Sequence, residues 1–339
     1  MTRGVERGEA PVGARPSEEM LELVERVVRR LPGRPARVEW EILYRDEHSN
    51  DVAEVHFSDD RILYVKRALG PEGRKRCRTS TLASRLLRER TRMSVPRYLE
   101  IDPPLDEPVL AYWQIRHDTL DSTVARWPPG GDRAVLESFG RLVRRIHRVR
   151  LPGHGPLTSA ELAFATHLEA DLTERLRPAV YGEWPAATET LECLLDVIRR
   201  YVRGSEPPAV LVHNDLHAEN ILCRVVGDSH RCVGAIDLED CFAGPIEADL
   251  AKVEVLHGPL FGQGWPQEWL QAVFEGYGPN PELFRIGVFR TYHLLNLGFH
   301  AALIGYPDHA ARVAEAAARE LESLGTSLPH AEVVQGLAG

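Results

Sequence analysis

The stretch LVHNDLHAENIL, Leu211 to Leu222, sets two histidines, an aspartate, a glutamate and two asparagines between aliphatic edges. Three chemistries suit such a run. A loop there offers a proton acceptor, Asp215, and an oxygen ligand for a metal, Asn220. On extended backbone, residues i, i+2 and i+4 share a face, so His213, Asp215 and His217 also make a zinc or iron triad for a hydrolase. A polar turn between two strands accounts for the same letters with no chemistry at all.

Two further residues weigh on the choice. "AIDLED" places Asp237 at the end of an apolar strand, and Lys66 lies in the strand "RILYVKR" far upstream. Lys66, Lys75 and Lys252 are the three lysines among 41 basic residues. In a chain that otherwise uses arginine, a strand lysine suggests that a compact ammonium is wanted, one that fits between two phosphates where a planar fork does not. A strand Lys, then H-x-D-x-x-x-x-N, then a strand-end Asp is the order of parts in phosphoryl transfer from a nucleoside triphosphate. The spacing lets Asp215 face an incoming hydroxyl while Asn220 turns back toward a metal that Asp237 also reaches. Mg²⁺ takes hard oxygen ligands and shares them with phosphates. The metal-triad reading gives Lys66, Asn220 and Asp237 no work.

These groups need elements to hold them. Ser17 to Leu31 has apolar residues at helical spacing, stopped by Pro32 and Gly33. "DVAEVHF", the turn "SDD" and "RILYVKR" predict a hairpin ending near Lys66. Arg74 to Arg92 predicts a basic helix, and "VPRYLEI" and "PVLAYWQI" two more strands. From Arg133 onward helical spacing dominates: 135–149, 160–176, 187–202, 265–277, 282–304 and 310–324. Two short apolar runs, "AVLVH" and "CVGAID", interrupt the helices and lead into the polar motifs.

Composition narrows the class. With 43% apolar and 27% charged residues the chain can build a core. No apolar run approaches a membrane span, and the start lacks the apolar segment of a secretory signal, so a cytoplasmic protein is expected. The five cysteines, Cys77, Cys193, Cys223, Cys232 and Cys241, form no C-x-x-C, which argues against structural zinc or a disulfide framework. Residues 1–108 carry 21 Lys and Arg against 20 Asp and Glu, and the remainder 20 against 30. An acidic C-terminal part disfavours nucleic acid and anionic membranes and favours cationic ligands.

"VHNDLHAENIL" followed by "GAIDLEDCFAGPIEADLAK" resembles the aminoglycoside phosphotransferase and choline kinase family, relatives of protein kinases. His213, Asp215, Leu216, His217, Asn220, Ile221 and Leu222 fit its first pattern. Ile236, Asp237, Glu239, Gly244, Pro245, Asp249, Leu250 and Ala251 fit the second. "LVRRIHRVRLPG" resembles the family's helix ending in Leu-His. The resemblance implies an α+β, two-lobed protein-kinase-like fold. Its parts would be a leader over 1–16, a small antiparallel-sheet lobe over 17–116 and a mainly helical lobe over 117–339.

By position it implies Asp215 as the catalytic base, Asn220 and Asp237 as Mg²⁺ ligands, and Lys66 on the α- and β-phosphates of ATP or GTP. His213, His217 and Asp249 would brace the loop, Ser49 and Asn50 would cover the phosphates, and Gln114, Ile115 and Arg116 would read the purine. Glu239, Asp240 and His293 are candidate acceptor contacts. The helix after Lys66 has no acid between Glu72 and Glu89, so the lysine either lacks the family's usual acidic partner or takes Glu72 or Glu89 from an unusual register. The expected function is O-phosphorylation of a small hydroxylated acceptor, cationic or polyhydroxylated, with an aminoglycoside-like or other sugar or nucleoside antibiotic leading. A metabolic kinase of sugars, choline or amino alcohols is the alternative. From other classes, a non-catalytic nucleotide-binding module and the His213/Asp215/His217 hydrolase stay open.

Overall fold

The structure, a computed structural model, describes residues 17–31, 41–47, 50–101, 105–124, 127, 132–157, most of 168–175, 188–202, 207–227, 229–261, 264–278, 283–303 and 305–327. The proposed leader, Ser49 and most of the helix expected over 160–176 lie outside these residues.

Helix α1 (Glu18–Arg29) starts where the Ser17 hydroxyl accepts from Met20 N, an N-cap that satisfies one orphan donor of the first turn. Glu18 and Glu19 at its start and Arg26 and Arg29 at its end suit the helix dipole. Its buried stripe of Met20, Leu23, Val24, Val27 and Val28 covers one face of a four-stranded antiparallel sheet. The strands β1 (Glu41–Glu47), β2 (Asn50–His56), β3 (Ile62–Ala68) and β4 (Val109–Trp113) pair in that order. Leu63 and Val65 face α1. Period two therefore puts Tyr64, Lys66 and Ala68 on the other face, where Tyr64 stacks on Tyr112.

Helix α2 (Gly73–Thr91) follows β3, and β5 (Asp118–Thr119) and α3 (Leu120–Val124) follow β4. The segment expected as a strand at "VPRYLEI" is not one. It makes two isolated bridges, Ser94 to Gly234 and Tyr98 to Tyr112. Pro96 offers no N–H for a ladder. Gly234 is required at the first bridge: a Cβ there would lie 1.8 Å from Ser94 O.

The C-terminal part is mostly helical. Helix α4 (Arg133–Ile146), β6 (Gly155–Pro156), α5 (Thr188–Val202), β7 (Val210–Val212), β8 (Ile221–Val226), β9 (Ser229–Ala235) and β10 (Phe242–Gly244) precede α6 (Ile246–Leu256), α7 (Gln267–Tyr277), α8 (Leu283–Leu303) and α9 (Pro307–Ser327). Two small sheets, β6-β10-β7 and β5-β8-β9, sit among them. Helix α6 escaped the periodicity reading because it is buried nearly all round, polar Glu247, Asp249 and Lys252 included. The helical expectations at 135–149, 187–202, 265–277, 282–304 and 310–324 correspond to α4, α5, α7, α8 and α9. Among the described residues no helix is long and apolar enough to cross a membrane, and all five cysteines are free thiols.

Two histidines are packed into this part as neutral rings. His257 stacks on Trp265 and donates to Leu216 O at 3.3 Å; His293 donates to Ala248 O at 2.8 Å. Burial pushes their pKa down to about 4 and about 3. Below the usual histidine value near 6.5 the unfolded rings take protons that the folded rings refuse, so stability falls as pH drops from that value toward 4. Asp240, raised to about 6 by burial and by its carboxylate neighbours Glu239, Asp215 and Asp237, works in the opposite sense and offsets part of the loss. At about 1.4 kcal/mol per pH unit per displaced group, the net loss between about pH 7 and pH 5 is on the order of 2–4 kcal/mol. Urea melts at the two pH values measure it, and an unchanged midpoint would mean that both rings are solvated.

Candidate active site

Strand β7 carries the polar loop. The strand is buried, and directly after it the N–H groups of His213 and Asn214 both donate to the Asp249 carboxylate, at 2.9 and 2.7 Å. Asn214 sits at φ 67, a left-handed turn that Asn adopts more readily than most residues. His213 is fully buried, donates through Nε2 to Ile236 O at 3.0 Å and accepts at Nδ1 from Asp215 N at 3.3 Å. Asp249 is in turn held by His147 Nε2 at 3.0 Å, and His147 Nδ1 meets Tyr277 OH at 3.0 Å. Burial alone would raise the Asp249 pKa, yet His147 and His213 keep it below the ordinary carboxylate value. The anion under the loop is therefore paid for by three donors, two from the loop after β7 and one from the end of α4.

Asp215 emerges from that brace with its side chain 28% exposed. Asn220 Nδ2 donates to both Asp215 O, at 3.0 Å, and Asp215 Oδ2, at 2.9 Å. His217 Nε2 lies 3.0 Å from the same amide nitrogen and 3.4 Å from Asp215 Oδ2. Asn220 Nδ2 has two hydrogens for three neighbours, so a neutral His217 ring shares one of them in a bifurcated contact; a protonated ring turns its N–H to Asp215 Oδ2 instead. Burial would raise the Asp215 pKa, but His217, Lys252 and His213 bring it down to about 2. The carboxylate is ionised at neutral pH. With Nδ2 so engaged, the Asn220 amide oxygen points away from Asp215.

Lys66 meets this loop from the sheet. Its ammonium is 2.7 Å from Asp237 Oδ1 and 3.0 Å from Glu239 Oε2, and Asn50 Nδ2 donates to the other Glu239 oxygen at 3.0 Å. Burial works against the charge on Lys66, but the two carboxylates outweigh it and raise its pKa. Asp237 stands at φ 60, two residues past the end of β9, and Ile236 N, between them, donates to Asn220 O at 2.9 Å. The sheet lysine, the strand-end aspartate and the loop asparagine thus share one place. The expected partner acids do not: Glu72 pairs with Lys75 on the surface, and Glu89 lies at an exposed position of α2. The acid comes instead from Glu239, two residues past Asp237. For a divalent cation the donors fit, since the Asp237 carboxylate and the Asn220 amide oxygen are hard oxygens beside one another in the chain trace.

The family model of the phosphotransferase enzyme family, APH, matches residues 41–286. The chain belongs to this family. No curated protein sequence matches it. Among solved structures it is similar in fold to the GDP and kanamycin complex of APH(2")-IIia, with a TM-score of 0.63 and 14% identity over 89% of this chain and 99% of that one. The aminoglycoside phosphotransferase APH(4)-Ia gives a TM-score of 0.62 at 15% identity, over 90% and 98% of the two chains. The macrolide 2'-phosphotransferase MphH from Brachybacterium faecium gives 0.55 at 17%, over 88% and 98%. At these identities the likeness is one of fold: a kinase-like arrangement with a sheet-bearing N-terminal region and a helical C-terminal part.

As a small-molecule kinase of this family, the chain places the remaining sequence candidates as follows. Gln114 N is committed to Ile62 O at 2.8 Å, Ile115 O accepts from His117 N, and Arg116 donates to Asp60 O at 2.9 Å; the three follow directly on β4. Asp240 is open to solvent and yet hemmed in by the lobe, as a residue on a cleft wall is. His293 is 1% exposed and packed against α6. The hydrolase triad is not assembled: both His213 nitrogens are spent on backbone, and among the described residues no group of three His, Cys, Asp or Glu gathers to hold a metal. Sequence reasoning passed over two residues. His147 shows in the sequence as a helix end ahead of a proline-glycine stop, and that spacing is its usable signal. Lys252 is visible in the sequence as one of three lysines, and nothing in its spacing marks its burial on α6.

Proposed function

We propose that this phosphotransferase moves the γ-phosphoryl of ATP or GTP to a hydroxyl of a small polyhydroxylated acceptor. The observation that carries the proposal is the meeting of Lys66, Asp237, Asn220 and Asp215 in one crevice, with Lys66 bridging to Asp237 across it at 2.7 Å. In this reading residues 17–116 cover the nucleotide and residues 117–339 supply the catalytic loop and the acceptor site. Asn50 lies on the phosphate side, where it already holds Glu239, and the backbone of Gln114, Ile115 and Arg116 edges the purine. Asp237 and the Asn220 amide oxygen would hold Mg²⁺, which when bound neutralises phosphate charge.

The chain's own residues then do the following. Lys66 stabilises the phosphates as a point charge. Asp215, fixed by Asn220 and by its backbone bond to His213, orients the acceptor hydroxyl and takes its proton as the bond to phosphorus forms. His213, Asp249 and His147 keep the loop in place and touch no reactant. Glu239 holds Lys66 when Asp237 turns to the cation. Glu239→Gln is therefore expected to raise the nucleotide KM and the Mg²⁺ half-saturation concentration roughly tenfold, as loss of one charged hydrogen bond does. Steady-state kinetics over nucleotide and Mg²⁺ read this directly, and unchanged constants would leave Lys66 without need of Glu239.

The acidic C-terminal part supports an acceptor with cationic groups, and an aminoglycoside-like or other sugar-bearing antibiotic suits both the charge and the family. Phosphorylation removes a hydroxyl and adds negative charge, so protection against such a compound is the role we favour. The test is nucleoside diphosphate release with MgATP and MgGTP over kanamycin, erythromycin, uridine and choline. Release stimulated by at least one acceptor supports the reading; release no greater than without acceptor, for all four, defeats it.

A further inference from the structure

Lys252 is a buried ammonium that the reaction as described does not use. It lies on α6, three residues after Asp249, and so on the same face of the helix. Asp249 from that face grips the N–H groups of His213 and Asn214 directly ahead of Asp215. Lys252 is 8% exposed, and among the described residues its ammonium makes no hydrogen bond or ion pair. Asp215, Asp240 and Asp249 supply its electrostatic surroundings without contacting it, and His293 of α8 lies near enough to feel its charge. Burial accordingly lowers the Lys252 pKa. The ammonium is not among the fully enclosed unpaired polar atoms, so its three N–H donors face a small opening, where water or a ligand oxygen can complete them.

The ground beside it is open. Asp215 is partly exposed and Asp240 is open to solvent on one side, while the nucleotide side of Asp215 is taken by Lys66, Asp237 and Glu239. We propose that Lys252 is an acceptor-binding residue: from beneath the catalytic loop its ammonium donates to an acceptor oxygen next to the hydroxyl that Asp215 orients, which makes the site one for sugar-type acceptors with vicinal oxygens. This inference rests on the kinase reading and narrows it. A cation beside the reacting carbon repels an adjacent ammonium, so a simple amino alcohol such as choline is disfavoured. Cationic groups of the acceptor lie farther off, toward Asp240.

The experiment compares wild type with Lys252→Met, which keeps the length and removes the donors, and with Lys252→Gln, which keeps an N–H donor without charge. Kanamycin, erythromycin, uridine and choline are the acceptors, and MgADP and MgGDP binding reports on the nucleotide site. We expect the wild type to use a sugar-bearing probe and not choline. Lys252→Met then lowers acceptor kcat/KM roughly 10- to 100-fold, mostly through KM, and Lys252→Gln recovers part of it. Nucleotide affinity stays within about twofold of wild type, an expectation from the separation of the two sides. Removing a charge amid three carboxylates can unfold the Met variant; the Gln variant then carries the comparison. Wild-type acceptor constants in a folded variant, equal losses in acceptor and nucleotide affinity, or choline as the preferred acceptor each overturn the proposal. A wild type that uses none of the four defeats the kinase reading itself, a different pattern.

Discussion

Asp215→Ala is expected to lower kcat by roughly 10²–10⁴-fold, the range for loss of a positioned proton acceptor, with nucleotide binding nearly unchanged. The carboxylate is braced from behind and partly exposed in front. Its backbone N–H is tied to His213 and its Oδ2 to Asn220, so it presents one orientation to an acceptor. With a pKa brought down to about 2 it is ionised throughout the working range, and an acid limb in kcat above about pH 4 belongs to another group. Asp240, at about 6, is the candidate, and a cationic acceptor would move that limb lower by favouring its ionised form. Asp215→Asn separates shape from chemistry: it keeps the partner of Asn220 and loses the base. If Asn restores most of the rate, Asp215 is a structural residue and the assignment is wrong.

What could be read in advance divides along a physical line. Asp215, Asn220 and Asp237 were legible because a loop and a strand end fix their spacing locally, whatever surrounds them. The sheet of the N-terminal region and the amphipathic helices were legible for a similar reason, since half-buried elements print their period in the chain. Glu239 as the partner of Lys66 was not, because the pair closes across the crevice between distant segments. Helix α2, the next element in sequence, turns its acids to the surface instead. Helix α6 was illegible for the opposite reason. Buried on nearly every face, it has no polar stripe to betray a period, and its three buried charged residues read as surface until Asp249 is seen gripping the loop. "VPRYLEI" had strand composition, but Pro96 and the close approach to Gly234 reduce it to bridges.

Asp237→Asn is expected to lower Mg²⁺-dependent turnover by roughly 10³-fold, the equivalent of about 4 kcal/mol in transition-state stabilisation. In the structure Asp237 is shared: one oxygen is engaged by Lys66, and the side chain is still 32% exposed toward the crevice. An amide keeps the shape and the left-handed backbone, which Asn tolerates, but gives a weaker oxygen to a cation and none of the charge. Stability should change little, because Lys66 keeps Glu239 at 3.0 Å and the lost contact is partly solvated. The result is then a folded protein whose nucleotide binding survives and whose activity returns only in part as Mg²⁺ is raised. Titrating Mg²⁺ against turnover, beside a thermal melt of the same preparation, distinguishes this from collapse of the site. Were the Asn variant to keep wild-type Mg²⁺ dependence, the carboxylate would be doing no more than pairing with Lys66, and the metal would have to be held by other oxygens.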